Sequence, residues 1–311
     1  MSDTRTFLVT GGTGFLGSGL LHRLVHDGSK VILLKRSTSD TGRIKDILDK
    51  VKIYNADADT VSLERIFTEN RIDVIVHCAT NQGKKLINPL AILNANVHFP
   101  LELLQLASKH NISCFINTDT TLDRRVNAYA LSKHQFREWL QACTGKMTCI
   151  NVSLELVYGP GDTGSNFIGY VVRELLRNVD ALDFTLGEQK RDFSYIDDVL
   201  DALMKIIDTS RGMGKGYFTY DAGSGQVKTI REFVLLAKAL TGNSRTALRF
   251  GELPYREHEF MDSCIDLSGL RALGWKPQHT LEDGLRATIE AESMRFGQSP
   301  DGHPETIQRT A

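Results

Sequence analysis

Tyr129 and Lys133 stand four residues apart in the segment NAYALSKHQFREWL, a spacing that puts a phenol and an ammonium on one face of a helix. A tyrosine with a pKa of about 10 is a poor acid–base at neutral pH, and a neighbouring ammonium lowers that value. Alone, such a pair usually means a solvated helix face. Just upstream, FINTDTTL closes a β-rich run with Thr118, Asp119, Thr120 and Thr121. A hydroxyl there would hydrogen-bond a carbonyl or alkoxide under reduction or oxidation, although any loop carries polar residues.

These groups need a cofactor, and residues 6–17, TFLVTGGTGFLG, provide for one. A short apolar strand ends in glycines at 11, 14 and 17, and an amphipathic helix follows (Leu16, Leu20, Leu21, Leu24, Val25). Backbone N–H groups at the positive end of such a helix meet a diphosphate. Gly11 permits the turn, Gly14 admits the pyrophosphate and Gly17 lets the helix pack on its strand. Gly11, Thr13, Gly14, Phe15 and Leu16 are therefore assigned to the cofactor, and Lys133 is placed to hold its nicotinamide ribose. A dinucleotide site of this kind normally carries an acid at the end of the second strand. Here KVILLKRST puts Lys35, Arg36 and Ser37 there. An Arg fork and a hydroxyl bind a 2′-phosphate that a carboxylate would repel, so NADP(H) is favoured over NAD(H). Solvated surface residues are the plain alternative. After the third strand, Asp57 and Ala58 fall where a carboxylate can accept from the adenine amino group; a turn is the other reading.

The 311 residues are enough for a full α/β core with a second lobe. The 37 basic and 38 acidic residues nearly cancel, so no nucleic-acid or membrane-surface partner is expected. No apolar run approaches the roughly 20 residues of a membrane span, and the polar start makes a signal peptide unexpected. Five scattered cysteines without C-x-x-C spacing fit reduced thiols in the cytoplasm, and the nine dispersed histidines suggest no metal site.

Apolar runs at 6–10, 30–34, 51–54, 72–77, 113–117 and 148–152 alternate with helical patterns near 15–27, 60–69, 90–109 and 128–142. Such alternation predicts a doubly wound parallel sheet, a Rossmann fold. After 158 come Gly-rich loops, short strands and helices near 166–177, 196–209 and 229–241. The expected division is a cofactor domain over 1–158, a smaller substrate lobe over 159–294 partly interleaved with it, and a loose polar tail over 295–311. Leu101, Leu104, Phe136, Trp139 and Leu140 extend beyond one face of their helices; packing on the sheet is the plain reading.

The motifs TGGTGFLG, DVIVHCAT, NANVHFPLELLQLA, YALSK, LVYGPGD, GEQKRDFSYIDDV and LGWKP run in order over residues 6–290. Together they resemble the extended short-chain dehydrogenase/reductases of the nucleotide-sugar epimerase/dehydratase group. The resemblance implies Ala79, Thr80 and Asn96 beside the cofactor, and Thr120, Tyr129 and Lys133 as the hydroxyl–Tyr–Lys triad. Thr118 is the alternative hydroxyl, in which case it too lies at the cofactor. Arg191 and Arg256 match positions that hold the sugar nucleotide's diphosphate; Asn166 and Phe167 are further substrate candidates. The resemblance also implies that the helices near 90–109 and 128–142 pair two copies into a homodimer. Two departures stand out. The Thr120–Tyr129 interval is short for the group, and Thr121 and Leu122 replace the Asp–Glu pair of a 4,6-dehydratase, which disfavours that reaction. INTDTTLDRRVNAYALSKHQFREWL, LELVYGPGD and LPYREHEFMDS look most like the CDP-abequose synthase subgroup.

The reading is an NADP(H)-dependent oxidoreductase that reduces the C4 keto group of a nucleotide-linked deoxyhexose, its nucleotide CDP. The rival within the class is a 4-epimerase with tightly bound NAD. A non-catalytic cofactor-sensing scaffold is the rival outside it, and the presence of both Tyr129 and Lys133 argues against that.

Overall fold

The computed structural model describes residues 4–57, 63–83, 88–143, 145–162 and 166–298. The first half of the chain forms β1 (Thr6–Thr10), α1 (Phe15–His26), β2 (Lys30–Lys35), β3 (Val51–Asn55), α2 (Leu63–Glu69), β4 (Val74–His77), α3 (Pro89–Leu93), α4 (Phe99–Lys109), β5 (Cys114–Thr120), α5 (Ala128–Ala142) and β6 (Thr148–Leu154). There follow β7 (Leu156–Tyr158), α6 (Phe167–Leu176), β8 (Ala181–Phe184), β9 (Lys190–Tyr195), α7 (Ile196–Thr209) and β10 (Gly216–Ala222). The last elements are β11 (Val227–Thr229), α8 (Ile230–Leu240), β12 (Ala247–Phe250), α9 (Ser268–Ala272) and α10 (Leu281–Gln298).

Two compact units share these elements. One comprises residues 1–154, 200–221 and 267–275; the other comprises 155–199, 222–266 and the chain from 276 on. The first unit thus closes at Leu154 and not at the expected 158, because Leu156–Tyr158 leaves the main sheet to pair with β9. It also takes back most of α7 and β10, later in sequence than expected.

In the first unit a seven-stranded sheet runs β10-β6-β5-β4-β1-β2-β3, the doubly wound Rossmann order that the alternation predicts. The pairings among β1 to β6 are parallel. Strands covered on both faces need continuous apolar runs, and Phe7, Leu8, Val9, Val31, Ile32 and Leu33 are all buried. Register brings Thr10, His77 and Asn117 to one level. The winding reverses between β1 and β4, and the carboxyl ends beside such a reversal form the crevice where doubly wound sheets bind ligands.

The helix expected over 90–109 is interrupted. Asn94–His98 forms a π turn between α3 and α4, with the Phe99 N–H reaching back to the Asn94 carbonyl. Pro100, just inside α4, has no N–H for the carbonyl four residues earlier. Of the five apolar residues expected to extend beyond one face, Leu104, Phe136 and Leu140 are buried and Leu101 packs on the core. Trp139 remains 51% exposed; the apolar stripe on these helices is instead Leu90, Leu93, Leu131 and Trp139.

The second unit has a three-stranded sheet, β11-β9-β7, and a two-stranded one, β12-β8. Its core includes stacked Phe193 and Phe233 rings 4.5 Å apart. A capping box joining Thr229 and Glu232 starts α8. The expected tail begins later than 295, since α10 continues to Gln298; residues 299–311 lie outside the described residues.

Candidate active site

The glycine turn joins β1 to α1. Gly11 has φ +71°, and a Cβ there would stand 2.4 Å from the Ala79 nitrogen, so only glycine fits between the turn and the chain leaving β4. Gly17 is required by close approach to the turn itself and not to the strand: its Cβ would meet the Gly11 oxygen at 2.2 Å. Above Gly14 the space is open apart from that same oxygen at 3.2 Å. Gly14 is the N-cap of α1, with no side-chain cap and no acid in the first turn. The first amides of α1 are thus without a competing anion, and the turn fits a dinucleotide's pyrophosphate.

At the end of β2 the structure departs from expectation. The Ser37 N–H and hydroxyl donate to the Asp57 carboxylate at 2.7 and 2.8 Å. Lys35 turns back to the Arg36 and Ser37 carbonyls at 3.0 and 3.4 Å. Asp57 is held below the usual carboxylate range by the two Ser37 bonds, with a lesser pull from Arg36. Asp57, expected to face adenine, is therefore engaged by Ser37. The Ser37 hydroxyl, expected to face a 2′-phosphate, already donates to a carboxylate. Arg36 is exposed. Ala58 lies outside the described residues.

Beyond β4, the Ala79 N–H donates to the Thr10 hydroxyl at 3.3 Å. Asn96, on the π turn, is buried and fully occupied. Its Oδ1 accepts from the Asn81 N–H at 2.7 Å and the Thr80 hydroxyl at 3.2 Å. Its Nδ2 donates to the Asn81 carbonyl and to Ser132 Oγ, both at 2.9 Å. Ser132 in turn donates to the Tyr129 carbonyl at 2.7 Å. Asn96 thus ties the loop after β4 to α5, a positioning task that spends its amide within the protein.

The structure brings Thr120, Tyr129 and Lys133 together. Asn127 caps α5 by accepting from the Ala130 N–H at 2.8 Å, which presents Tyr129 in the first turn beside the end of β5. There the Thr120 side chain lies beside the Tyr129 phenol, and its hydroxyl accepts from the Leu122 N–H at 3.2 Å. The Thr118 hydroxyl instead donates to the His77 carbonyl at 3.1 Å, toward β4. One turn further along α5, Lys133 is buried and donates to the Thr118 carbonyl at 2.6 Å.

The expected lowering of the tyrosine pKa is not produced by the protein alone. Burial, aided by the Asp119 carboxylate, pushes Tyr129 up to about 12, with the Thr120 side chain acting the other way. Burial likewise lowers the Lys133 ammonium, against the pull of Asp119. Sequence reasoning did not find Arg137, which reaches from α5 to Asp119 at 2.6 Å and to the Thr120 carbonyl at 2.9 Å. Its spacing, four residues past Lys133, was the available signal.

In the second unit, Arg191 on β9 is buried among carboxylates. It pairs with Glu259, lies 3.7 Å from Glu155 and packs over the Phe260 ring. Burial lowers its pKa, Glu259 and Glu155 counteract, and Arg256 adds a repulsion that marks the two arginines as neighbours. Burial pushes Glu155 up. Asn166, expected at the substrate, caps α6: its Oδ1 accepts from the Gly169 N–H at 2.9 Å and its Nδ2 donates to the Val157 carbonyl at 3.2 Å. Phe167 belongs to the aromatic core, 5.7 Å from Phe233 and 6.3 Å from Phe184. Both have structural tasks here.

Residues 7–223 match the NAD dependent epimerase/dehydratase family. The chain is 30% identical over 292 residues to a CDP-abequose synthase of Salmonella typhimurium, covering 91% of this chain and 97% of that one. Among solved structures it is similar to UDP-glucose 4-epimerase of Thermotoga maritima with UDP-glucose, at TM-score 0.81 and 23% identity over 94% of this chain and 99% of the other. It is also similar to dTDP-glucose 4,6-dehydratase of Bacillus anthracis in complex with NAD, at TM-score 0.79 and 21% identity over 94% and 98%.

Proposed function

The chain belongs to the NAD dependent epimerase/dehydratase family, enzymes of nucleotide-sugar chemistry, and from that premise we propose that it is an NADP(H)-dependent reductase of a nucleotide-linked 4-keto deoxyhexose. The observation that carries the proposal is the juxtaposition of Thr120 and Tyr129 at the end of β5, with Lys133 one turn behind them on α5 and bonded to the Thr118 carbonyl. When bound, the cofactor supplies the hydride. Thr120 orients the substrate carbonyl oxygen, and Tyr129 gives it a proton. Lys133 holds the nicotinamide ribose and the charge that develops on the phenol. A tyrosine whose pKa burial raises is protonated at neutral pH, the state a proton donor needs. The similarity to CDP-abequose synthase makes a CDP-linked sugar the first substrate to try.

The Ser37–Asp57 bonds support a second reading. A carboxylate at the end of β2 opposes a 2′-phosphate, as an epimerase with retained NAD would require. Gel filtration followed by assay separates the two. A reductase releases its cofactor and consumes NADPH with a nucleotide 4-keto sugar; an epimerase retains NAD and shows no net consumption.

The partner we propose is a second copy of this chain. Leu93, Val97 and Trp139 line a groove of about 530 Å³ with Gln135 and Glu138, beside exposed Leu90 and Leu131. Apolar surface of this kind on two neighbouring helices suits a homodimer. Light scattering of Trp139→Glu tests it: a dimeric wild type and a monomeric variant are expected, and a monomeric wild type refutes it. A cytoplasmic location accords with the nucleotide-linked substrate. Among the described residues no helix is long and apolar enough to cross a membrane.

A further inference from the structure

Tyr129, Lys133 and Arg137 follow one another at four-residue intervals on α5, and each reaches the end of β5. Tyr129 lies beside the Thr120 side chain, while Lys133 donates to the Thr118 carbonyl and Arg137 to the Thr120 carbonyl, at 2.6 and 2.9 Å. Arg137 Nε also donates to Asp119 Oδ2 at 2.6 Å. Asp119 Oδ1 accepts the Thr120 N–H at 2.7 Å. Asn151 on β6 donates to Asp119 Oδ2 at 2.9 Å, and its own oxygen accepts from Asn117 at 2.8 Å. The Asp119 side chain is fully buried. We propose that Arg137 is a positioning residue of this centre: with Asp119 it holds both backbone polar groups of Thr120 and so fixes the Thr120 hydroxyl against Tyr129.

The reason lies in geometry more than stability. A buried ion pair contributes little over packed apolar residues of equal volume, whereas charge-assisted hydrogen bonds in a planar fork define position tightly. Thr120 ends its strand, paired with Leu154 of β6 but beyond the last pairing with β4 at Asn117; the Asp119–Arg137 pair supplies the restraint that β4 no longer gives. Charge supports the same assignment. Asp119 raises the pKa of Tyr129 and of Lys133, and Arg137 opposes it at Lys133. The other titratable groups around them are His77 on β4 and Cys78 after it, which both interact with Lys133, and Tyr217 on β10, which faces Asp119 and Arg137.

The inference rests on Tyr129 as the proton donor, and two measurements on wild type, Arg137→Gln, Arg137→Lys and Asp119→Asn keep the two claims apart. Hydrogen–deuterium exchange over residues 114–122, without substrate, reads the Thr120 backbone. Arg137→Gln is expected to speed exchange there about tenfold or more, and Arg137→Lys less. Steady-state rates with NADPH and a nucleotide 4-keto sugar read the hydroxyl. Arg137→Gln is expected to lower kcat about tenfold with KM within about twofold, and Arg137→Lys to restore part of it. The alkaline limb of kcat should move down in Asp119→Asn, which removes the negative charge, and up in Arg137→Gln, which leaves it unbalanced. Unchanged exchange in Arg137→Gln, or a rise in KM alone, overturns the proposal. A wild type that consumes no NADPH with any 4-keto sugar sinks the reductase reading, while exchange still decides whether Arg137 holds Thr120. Should Arg137→Gln fail to fold, Arg137→Lys carries both measurements.

Discussion

The Thr120 side chain lies beside the Tyr129 phenol across the turn from β5 to α5, its hydroxyl accepting from the Leu122 N–H, while the Thr118 hydroxyl, on the same strand, donates to the His77 carbonyl. The two threonines therefore separate by task. Thr120→Val should lower kcat by about 100-fold, as loss of one group bonded to a developing oxyanion does, and cost about 1 kcal/mol through the lost Leu122 N–H bond. Thr118→Val should cost about 1 kcal/mol of stability with kcat nearly unchanged. Kinetics and thermal melts of both variants decide. Equal kinetic losses would mean that Thr118 also touches substrate.

The Tyr129 proton gives the reaction a directional pH signature. Burial raises the phenol pKa to about 12, so the acid form persists through neutral pH. Reduction should be level there and fall only on the alkaline side, as the phenol ionises. Oxidation of the product alcohol needs the phenolate and should rise over the same range. Rates in both directions across pH test this; a reduction rate that climbs with pH would remove Tyr129 as the acid.

Two glycines of the turn should fail in different ways. Gly11→Ala forces a Cβ into the Ala79 backbone at positive φ, so the melting temperature should drop sharply. Gly14→Ala meets only one oxygen at 3.2 Å; the fold should survive while the cofactor KM rises about tenfold, because the methyl group occupies the pyrophosphate's approach. Melts and cofactor titrations of the pair distinguish a folding role from a binding one.

Arg36 and Asp57 set opposite preferences at the end of β2. Arg36→Ala should raise the NADPH KM about tenfold and leave NADH nearly unaffected. Asp57→Asn removes a negative charge, and the NADPH preference should grow several-fold. Titrating both cofactors against both variants is the check. If Arg36→Ala weakens NADH equally, the 2′-phosphate assignment is wrong.

The sheet was legible because buried parallel strands must be continuous apolar runs: Phe7–Val9 and Val31–Leu33 are hidden on both faces and read as strands at once. Tyr129 and Lys133 were legible because helical spacing is local. The Ser37–Asp57 contact was not legible because it depends on strand register, Lys35 opposite Asn55, which no local pattern fixes. Asn166 and Phe167 looked available because a cap and a core ring have the same letters as ligands. Arg191 was assigned to a diphosphate, yet its partner Glu259 sits on an irregular stretch whose path has no periodicity to read.

The central claim is that Tyr129 protonates the C4 oxygen as hydride arrives from NADPH. Its most direct measurement is single-turnover NADPH oxidation, read at the nicotinamide absorbance, with a CDP-linked 4-keto deoxyhexose in wild type and Tyr129→Phe. Wild type should oxidise NADPH stoichiometrically, and the variant at a rate at least about 100-fold lower, with NADPH still bound. A variant that reduces the ketone at the wild-type rate would contradict it.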